Sequence, residues 1–378
     1  MNQQQLEDYY KRYKNIMGQI KAEVQKLLTK QEEIAELEQN ILQIKDNTTK
    51  ILNILQVNHE LSQPSRSIEK YIHTIHKAMT IEHKENVSSV IELTDSKIVT
   101  GDYKGCISLF SIDYVNDKWE KLKELQGHND SINSLCELSD NRVISSSGDN
   151  TLKVWTIDNN TITHIKTLGG SDSIIYQVIP LTKDIIAFGL FDKKIKIVDV
   201  TTYKEILSLD ENFAVCSLLK LKKKEIMASS GYGNCVSFWR TNSFEKECSV
   251  TCCDCYSYNG LLELPNDCIA VNGGGSLTID IINVEFYQKI KQITCEWYIT
   301  SSDFLSSLCL LNNGTFVYSH EGSFCQISST TYEIIYKTKM EEEFLGFTLI
   351  SALNGKYIIA SNEKQKEKGI TIFKVGYV

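Results

Sequence analysis

The sequence contains a cluster of cysteines whose spacing could allow metal binding or redox chemistry. Cys252 and Cys255 stand in a C-x-x-C arrangement, with Cys248 and Cys253 close by, in the segment KECSVTCCDCY. Two thiolates at that spacing can bind zinc or exchange electrons. A zinc site needs a second pair of ligands and a thioredoxin-type site needs a βαβ pattern, and the sequence supplies neither. We therefore predict reduced, buried thiols here and no metal site.

Other sequence motifs give no stronger sign of catalysis. The chain contains neither the phosphate-binding pattern G-x-x-x-x-G-K-[ST] nor the nucleophile turn G-x-S-x-G. His73 and His76 are three residues apart on a predicted strand, so they should face opposite sides and cannot share a metal ion. The sequence thus predicts no catalytic residue and no cofactor.

Composition limits the class of protein. The chain has 378 residues, of which 42% are hydrophobic and 23% charged, as in a globular protein. Its net charge of -8 argues against a nucleic-acid partner, which requires a basic surface. The sequence has no apolar run long enough to cross a membrane, and its start lacks the apolar region of a signal peptide. We therefore expect a cytoplasmic protein without a membrane span.

Residues 127–155 carry the clearest repeat unit, GHNDSINSLCELSDNRVISSSGDNTLKVW. The unit contains a Gly-His pair, an apolar strand, a Ser-rich strand, a turn Asp and a last strand that ends in Trp. Fainter copies recur about every 41 to 47 residues along the chain. A period of this length with four short strands per unit predicts the blade of a β-propeller.

Seven such units can be placed along the chain. We anchor each unit on the residue that ends its predicted third strand, namely Phe110, Trp155, Val198, Trp239, Asp280, Ile327 and Phe373. Each anchor follows a segment of alternating polar and apolar residues, as expected of a strand. The prediction is an all-β seven-bladed propeller over residues 71–378. The seventh unit lacks an outer strand, and we predict that residues 71–80 supply it and close the ring.

The first 57 residues follow a heptad pattern. From Leu6 to Leu55, twelve of the fifteen a and d positions are apolar. So narrow a seam predicts a long coiled-coil helix over residues 1–57, paired with a second copy of the chain or with a helix of another protein. The alternative is an amphipathic helix packed on the propeller of the same chain. Residues 58–70, with Pro64 and several serines, form the predicted linker.

The second unit resembles the WD40-repeat family, through Gly127, His128, Ser145, Asp149 and Trp155. The resemblance implies that the last four of these side chains form a hydrogen-bonded structural network, in which buried polar groups satisfy one another. A coiled coil ahead of a seven-bladed WD40 ring also resembles G-protein β subunits, Groucho-type co-repressors and some autophagy scaffolds. No motif in the sequence selects one of these.

The resemblance also implies where a partner would bind. In WD40 propellers, the residue before the turn Asp and the residue three after the Gly-His pair tend to lie on the top face, near the central channel. The corresponding residues here are Tyr103, Phe191, Tyr232, His320, Asn86, Ser131 and Ile174. Aromatic side chains on such a rim could anchor a peptide. The same rings could instead pack on neighbouring loops.

These observations favour a non-catalytic scaffold or adaptor. Its coiled coil would form a homo-oligomer or pair with a partner helix, and its top face would bind a protein or peptide. The alternative is a fixed structural subunit of a large cytoskeletal, trafficking or G-protein-β-like assembly. A propeller hydrolase is a third class, but no cluster of polar residues in the sequence supports it.

Overall fold

A computed structural model describes a large part of the chain. The described residues are 17–19, 21, 73–93, 95, 97–138, 140–168, 172–252, 260–273, 278–294, 307–311, 314–320, 323–339, 347–353, 357–362 and 368–377. The chain divides into two units, Met1–Lys70 and Tyr71–Val378. In the first unit, residues 17–19 and 21 are helical. The rest of the predicted coiled coil and the linker lie outside the described residues.

The second unit is built from β-strands. In chain order, the strands within the described residues are β1 (His73–Glu82), β2 (Val87–Glu92), β3 (Lys97–Asp102), β4 (Cys106–Asp113), β5 (Lys118–Gln126), β6 (Ile132–Glu137), β7 (Arg142–Ser147), β8 (Leu152–Asp158), β9 (Thr161–Leu168), β10 (Ile175–Pro180), β11 (Ile185–Leu190), β12 (Lys194–Asp199), β13 (Lys204–Asp210), β14 (Val215–Lys220), β15 (Ile226–Gly231), β16 (Cys235–Arg240), β17 (Lys246–Thr251), β18 (Leu261–Leu264), β19 (Cys268–Gly273), β20 (Thr278–Asn283), β21 (Gln288–Thr294), β22 (Cys309–Leu310), β23 (Thr315–His320), β24 (Ser323–Ser328), β25 (Ile334–Lys339), β26 (Phe347–Leu353), β27 (Tyr357–Asn362) and β28 (Gly369–Tyr377).

The described strands form seven four-stranded sheets, which are the blades. Blade one consists of β2 to β5, and each following blade takes the next four strands, up to β25 in blade six. Blade seven joins β26, β27 and β28 to β1, which precedes blade one in the chain. β1 and β28 are antiparallel, with His73 opposite Tyr377 and Glu82 opposite Gly369. The structure is therefore a closed seven-bladed all-β propeller, which confirms the predicted fold class.

Neighbouring blades pack face to face through apolar side chains. Between blades one and two, Leu109 and Trp155 belong to one buried cluster. Between blades seven and one, Ile370 packs with Ile98 and Phe110, so the core continues across the closure of the ring. β4 contributes Ile107 and Leu109 to the cluster between blades one and two, and β8 contributes Trp155 and Ile157, as expected of alternating strands. Burial of apolar area between blades is the main term that holds the ring together.

A one-residue β-bulge recurs where the third strand of each blade pairs with the fourth. The third-strand residues that follow this shift are Phe110, Trp155, Val198, Trp239, Ile282, Ile327 and Phe373. A bulge at a fixed place identifies equivalent positions in different blades. Six of these residues are the predicted anchors. In blade five the prediction of Asp280 is wrong, because the register places Ile282 at the equivalent position.

Candidate protein-binding face

Blade two contains a chain of four hydrogen-bonded side chains. Trp155 Nε1 donates to Ser145 Oγ at 2.8 Å, and that oxygen lies 2.7 Å from His128 Nε2. On the other side of the imidazole, His128 Nδ1 lies 3.0 Å from Asp149 Oδ2. Because the Asp149 carboxylate can only accept, the proton of the neutral imidazole is on Nδ1. Nε2 is then an acceptor for the serine hydroxyl, whose oxygen in turn accepts from the indole N–H.

Electrostatics match this arrangement of protons. Burial lowers the pKa of His128, and the nearby Asp149 carboxylate opposes that effect. Burial by itself raises the pKa of Asp149, but hydrogen bonds from the Thr151 side chain and the Asn129 backbone, together with His128, bring it down to about 2. Near neutral pH the network therefore holds a neutral imidazole against an ionised carboxylate.

Blade one shows the same histidine position without an acid. Lys104 stands where blade two has Asp149, and the Phe110 ring, 5.2 Å from that of His83, cannot donate a hydrogen bond. His83 Nε2 has no hydrogen-bond partner among the described residues. Burial, followed by the charge of Lys121, lowers the pKa of His83 to about 4. This histidine packs as a neutral ring.

Blade four replaces the histidine with an acid. Trp239 Nε1 donates to Ser229 Oγ at 2.9 Å, and Ser229 Oγ donates directly to Glu211 Oε1 at 2.7 Å. Ser237 Oγ and Lys246 Nζ donate to the other carboxylate oxygen at 3.2 and 2.9 Å. Glu211 is not among the residues predicted from the sequence, although it aligns with His128 when the segments ahead of the first strands of blades two and four are matched. These networks use their polar groups internally, so they support the fold rather than contact a partner.

The turns between second and third strands present the candidate binding residues. Because every blade has the same strand order, these turns lie at one end of the ring, which we call the top face. The turns of blades one to three each contain a left-handed residue, namely Gly105 at φ 81°, Asn150 at 65° and Lys193 at 68°. Gly and Asn adopt this conformation readily, and Lys193 does so at some cost in backbone strain.

One backbone hydrogen bond joins the two kinds of candidate position in each of the first four blades. The turn residue donates through its N–H to the residue just ahead of the first strand. The bonds run from Tyr103 to Asn86, Gly148 to Ser131, Phe191 to Ile174 and Tyr232 to Ala214, at 3.0 to 3.1 Å. Positions that the sequence presents separately are therefore neighbours, and Ala214 adds a blade-four position that sequence analysis missed.

Exposure separates the candidate residues into two groups. The exposed side chains are Phe191 at 54%, Tyr103 at 45%, Tyr232 at 40% and Ile174 at 37%. Asn86 and Ser131 are half-buried, and Ser131 Oγ donates to Asn133 Oδ1 at 2.9 Å. His320 ends strand β23, and its side chain lies outside what the structure describes. The exposed group is mainly aromatic.

Two of the exposed rings belong to one contact group. Phe191, Tyr232 and the buried Tyr176 form the aromatic cluster, in which each ring contacts the other two. Tyr103 lies in blade one, two blades away from Phe191. Tyr176 is not among the residues predicted from the sequence. The available signal was its alignment with Asn133 in blade two, a first-strand position close to the top face.

The cysteine segment is described only in part. Cys248 lies on β17 with a pKa raised by burial, and Cys252 is a buried cysteine that forms no disulfide. Cys253 and Cys255 lie outside the described residues. Within the residues that are described, no three His, Cys, Asp or Glu side chains group so as to hold a metal ion. No helix in that part of the chain is both long and apolar enough to cross a membrane.

Comparison with known proteins supports the propeller family. Residues 119–156 match the WD40 family model, described as WD domain, G-beta repeat. The matched segment runs from the fourth strand of blade one to the third strand of blade two. No curated protein matches the chain significantly. The chain therefore contains a WD40 repeat, and that repeat is part of a seven-bladed β-propeller whose blades share one strand order.

Proposed function

We propose that the chain is a non-catalytic scaffold that binds a protein segment on the top face of its propeller. The observation that carries the proposal is the exposure of Tyr103, Phe191 and Tyr232 in turns of that face. Such turns usually hold Gly, Asn or Asp, which leave little apolar area in water. Large rings placed there suit a role as anchors that a partner covers.

The N-terminal heptad would add a second mode of association. A coiled coil that joins two copies of the chain would place two propellers on one stalk and raise their joint affinity for a partner with two binding segments. Sedimentation velocity of the full chain and of an Ile34→Asp/Ile41→Asp variant tests this pairing. We expect the wild type to sediment as an oligomer and the variant as a monomer. If the wild type and the variant both sediment as monomers, the homo-oligomer is refuted, and pairing with a helix from another protein is favoured.

A fixed structural subunit is the second candidate function, and other exposed residues favour it. Val115 and Phe286 are 90% and 67% exposed in turns between third and fourth strands, at the end of the ring opposite the top face. Ile206 is 47% exposed on the outer strand β13. A subunit held on several sides would use these residues as well as the top face.

Affinity purification from the native cell, followed by quantitative mass spectrometry, separates the two functions. One variant carries Ala at Tyr103, Phe191 and Tyr232. The matched variant carries Ala at Val115, Ile206 and Phe286, and thermal melting verifies that both remain folded. A scaffold should lose its partners in the first variant and keep them in the second. A fixed subunit should lose partners in both. Partners retained by both variants would refute top-face binding.

A further inference from the structure

The aromatic cluster has a regular geometry. The ring centroids lie 6.3 Å apart for Tyr176 and Phe191, 6.1 Å for Tyr176 and Tyr232, and 6.4 Å for Phe191 and Tyr232. The angles between the ring planes are 67°, 56° and 80° in the same order. The three rings are thus nearly equidistant, and no pair stacks face to face. Three blade elements supply them, namely β10 and the turns after β11 and β15.

One ring of the aromatic cluster is buried and the other two are exposed. Tyr176 is only 6% exposed, whereas Phe191 and Tyr232 are 54% and 40% exposed. Pairing between β10 and β11 shifts at Tyr176, because Ile175 pairs with Leu190 and Gln177 with Gly189. A bulge of this kind redirects a side chain from its place in the regular strand. Packing within the propeller accounts for Tyr176, but it leaves about half of each outer ring in water.

Two aspartates lie in the backbone segments next to this cluster. Asp192 follows Phe191 in the same turn, and its backbone N–H donates to Ser173 Oγ at 2.9 Å, which holds Asp172 near that turn. Both aspartates are exposed, and neither forms an ion pair among the described residues. Lys193 supplies one positive charge in the same turn, so this turn and Asp172 taken together carry a net negative charge. The chain as a whole carries a net charge of -8.

We infer that the aromatic cluster is a subsite for a cationic side chain, a lysine or methylated lysine or an arginine, on the bound protein segment. This inference rests on the proposed top-face function and names the chemistry of its partner. Aromatic faces carry partial negative charge and attract a cation within about 6 Å of the ring centroid. A cation about 3.5 Å above the plane of the three centroids would be about 5 Å from each, within that range.

A pair of matched probes isolates the role of charge. The first is N-acetyl-trimethyl-lysine methylamide, whose quaternary nitrogen attracts ring faces but donates no hydrogen bond. The second has a carbon atom in place of that nitrogen, so that it has the same shape without the charge. Each is titrated into the full-length protein, and the methyl resonances are followed by NMR. We expect upfield ring-current shifts and about ten-fold tighter binding of the cationic probe.

Variants of the full chain locate the bound probe. Phe191→Leu keeps apolar bulk but removes a ring, and it should weaken the cationic probe about ten-fold. Asp192→Asn should weaken it about three-fold and leave the neutral probe unchanged. Phe286→Leu removes an exposed ring from the opposite end of the propeller and serves as the matched control. Equal binding of the two probes, binding of neither, or insensitivity to Phe191→Leu would overturn the inference.

The probe titrations and the capture of partners from cells test the cationic subsite and the scaffold function independently. If partners captured from cells depend on the top face but both probes bind equally, the scaffold stands and the cationic subsite fails. If the cationic probe binds as expected but no partner depends on the top face, the subsite stands and the scaffold fails.

Discussion

Blades two and four both contain a buried Trp–Ser hydrogen bond, but the group that accepts the serine proton differs between them. In both, a buried Trp donates to a Ser hydroxyl, and that hydroxyl must give its proton to an acceptor. Blade two uses the neutral imidazole of His128, supported by an acid on the turn, Asp149. Blade four uses the carboxylate of Glu211 directly, supported by Lys246 from the outer strand. The fold therefore requires an acceptor at this position, and imidazole and carboxylate both satisfy it.

The outer strand adds a second difference between the blades. At the bulge, His164 lies opposite Trp155 with ring centroids 5.3 Å apart, whereas Lys246 Nζ lies 5.1 Å from the centre of the Trp239 ring. Only blade four therefore combines a cation over the indole with an ion pair beside it. Removal of the Trp side chain should therefore lower the free energy of unfolding by a similar amount in both blades. Removal of a charged side chain should have different effects in the two blades.

Removal of either indole should have the largest effect. Trp155 and Trp239 are 2% and 4% exposed, so each change to Ala should cost about 3 to 5 kcal/mol in the free energy of unfolding. Urea denaturation followed by circular dichroism measures this loss. If one of the two Trp→Ala changes left the free energy of unfolding nearly unchanged, the two networks would not contribute equally to the stability of the propeller.

Lys246→Met should destabilise blade four by about 3 kcal/mol, because it leaves the buried Glu211 carboxylate without its cation. The side chain of Glu211 is fully buried and that of Lys246 is 30% exposed. The matched control, His164→Met in blade two, should cost less than about 1 kcal/mol, because no buried ion pair is broken there. Addition of Glu211→Gln to Lys246→Met should restore most of the loss in urea denaturation. Equal effects of the two Met variants would contradict the ion-pair account.

Asp149→Asn tests the acid that is specific to blade two. The folded pKa of about 2 lies below the unfolded value of 3.8. Asp149 therefore contributes stability above pH 3.8, and that contribution is lost as the pH falls towards 2. Between pH 5 and pH 2 the wild type should lose about 2 kcal/mol more than the variant in the free energy of unfolding. Parallel pH profiles would show that the carboxylate is not coupled to folding.

Phe191→Ala should have the smallest effect on stability. With 54% of the residue exposed, the change removes chiefly ring contacts within the aromatic cluster, at a cost of about 1 kcal/mol or less. Thermal melting measures it, and Tyr103→Ala should behave in the same way. A loss as large as that from Trp155→Ala would mean that the ring is a packing element rather than a binding anchor.

Sequence patterns predict the propeller because its blades repeat the same alternation. They fail at blade five, where Asp280 and Ile282 lie two residues apart on the same face of one strand. An error of two residues in the anchor position keeps the same alternation of polar and apolar residues, so the sequence pattern cannot reveal it. The position of the β-bulge does reveal it. The closing strand depends on a different signal, namely the absence of a fourth strand after the seventh repeat unit. The sequence places the closing strand at residues 71–80, and the structure has it at His73–Glu82.

The candidate site is less predictable than the fold for a different reason. Turn positions identify Phe191 and Tyr232 from sequence, because turns are local. Tyr176 joins them only through a bulge in a buried strand, and Glu211 replaces His128 with a residue of different type. Both features depend on which groups meet in space, and residue type alone does not encode that. Of the residues in the predicted coiled coil, the structure describes only 17–19 and 21.

Closure by β1 also sets the order in which the molecule can be assembled in the cell. Of the described strands, β1 leaves the ribosome first and its partner β28 leaves last. At roughly 5 to 20 residues per second, about 300 residues of synthesis separate them by roughly 15 to 60 s. Until β28 has been made, blade seven is incomplete and the ring cannot close. A premature stop before Gly369 would leave the ring unclosed, and an incompletely folded chain is a target of chaperones and proteases.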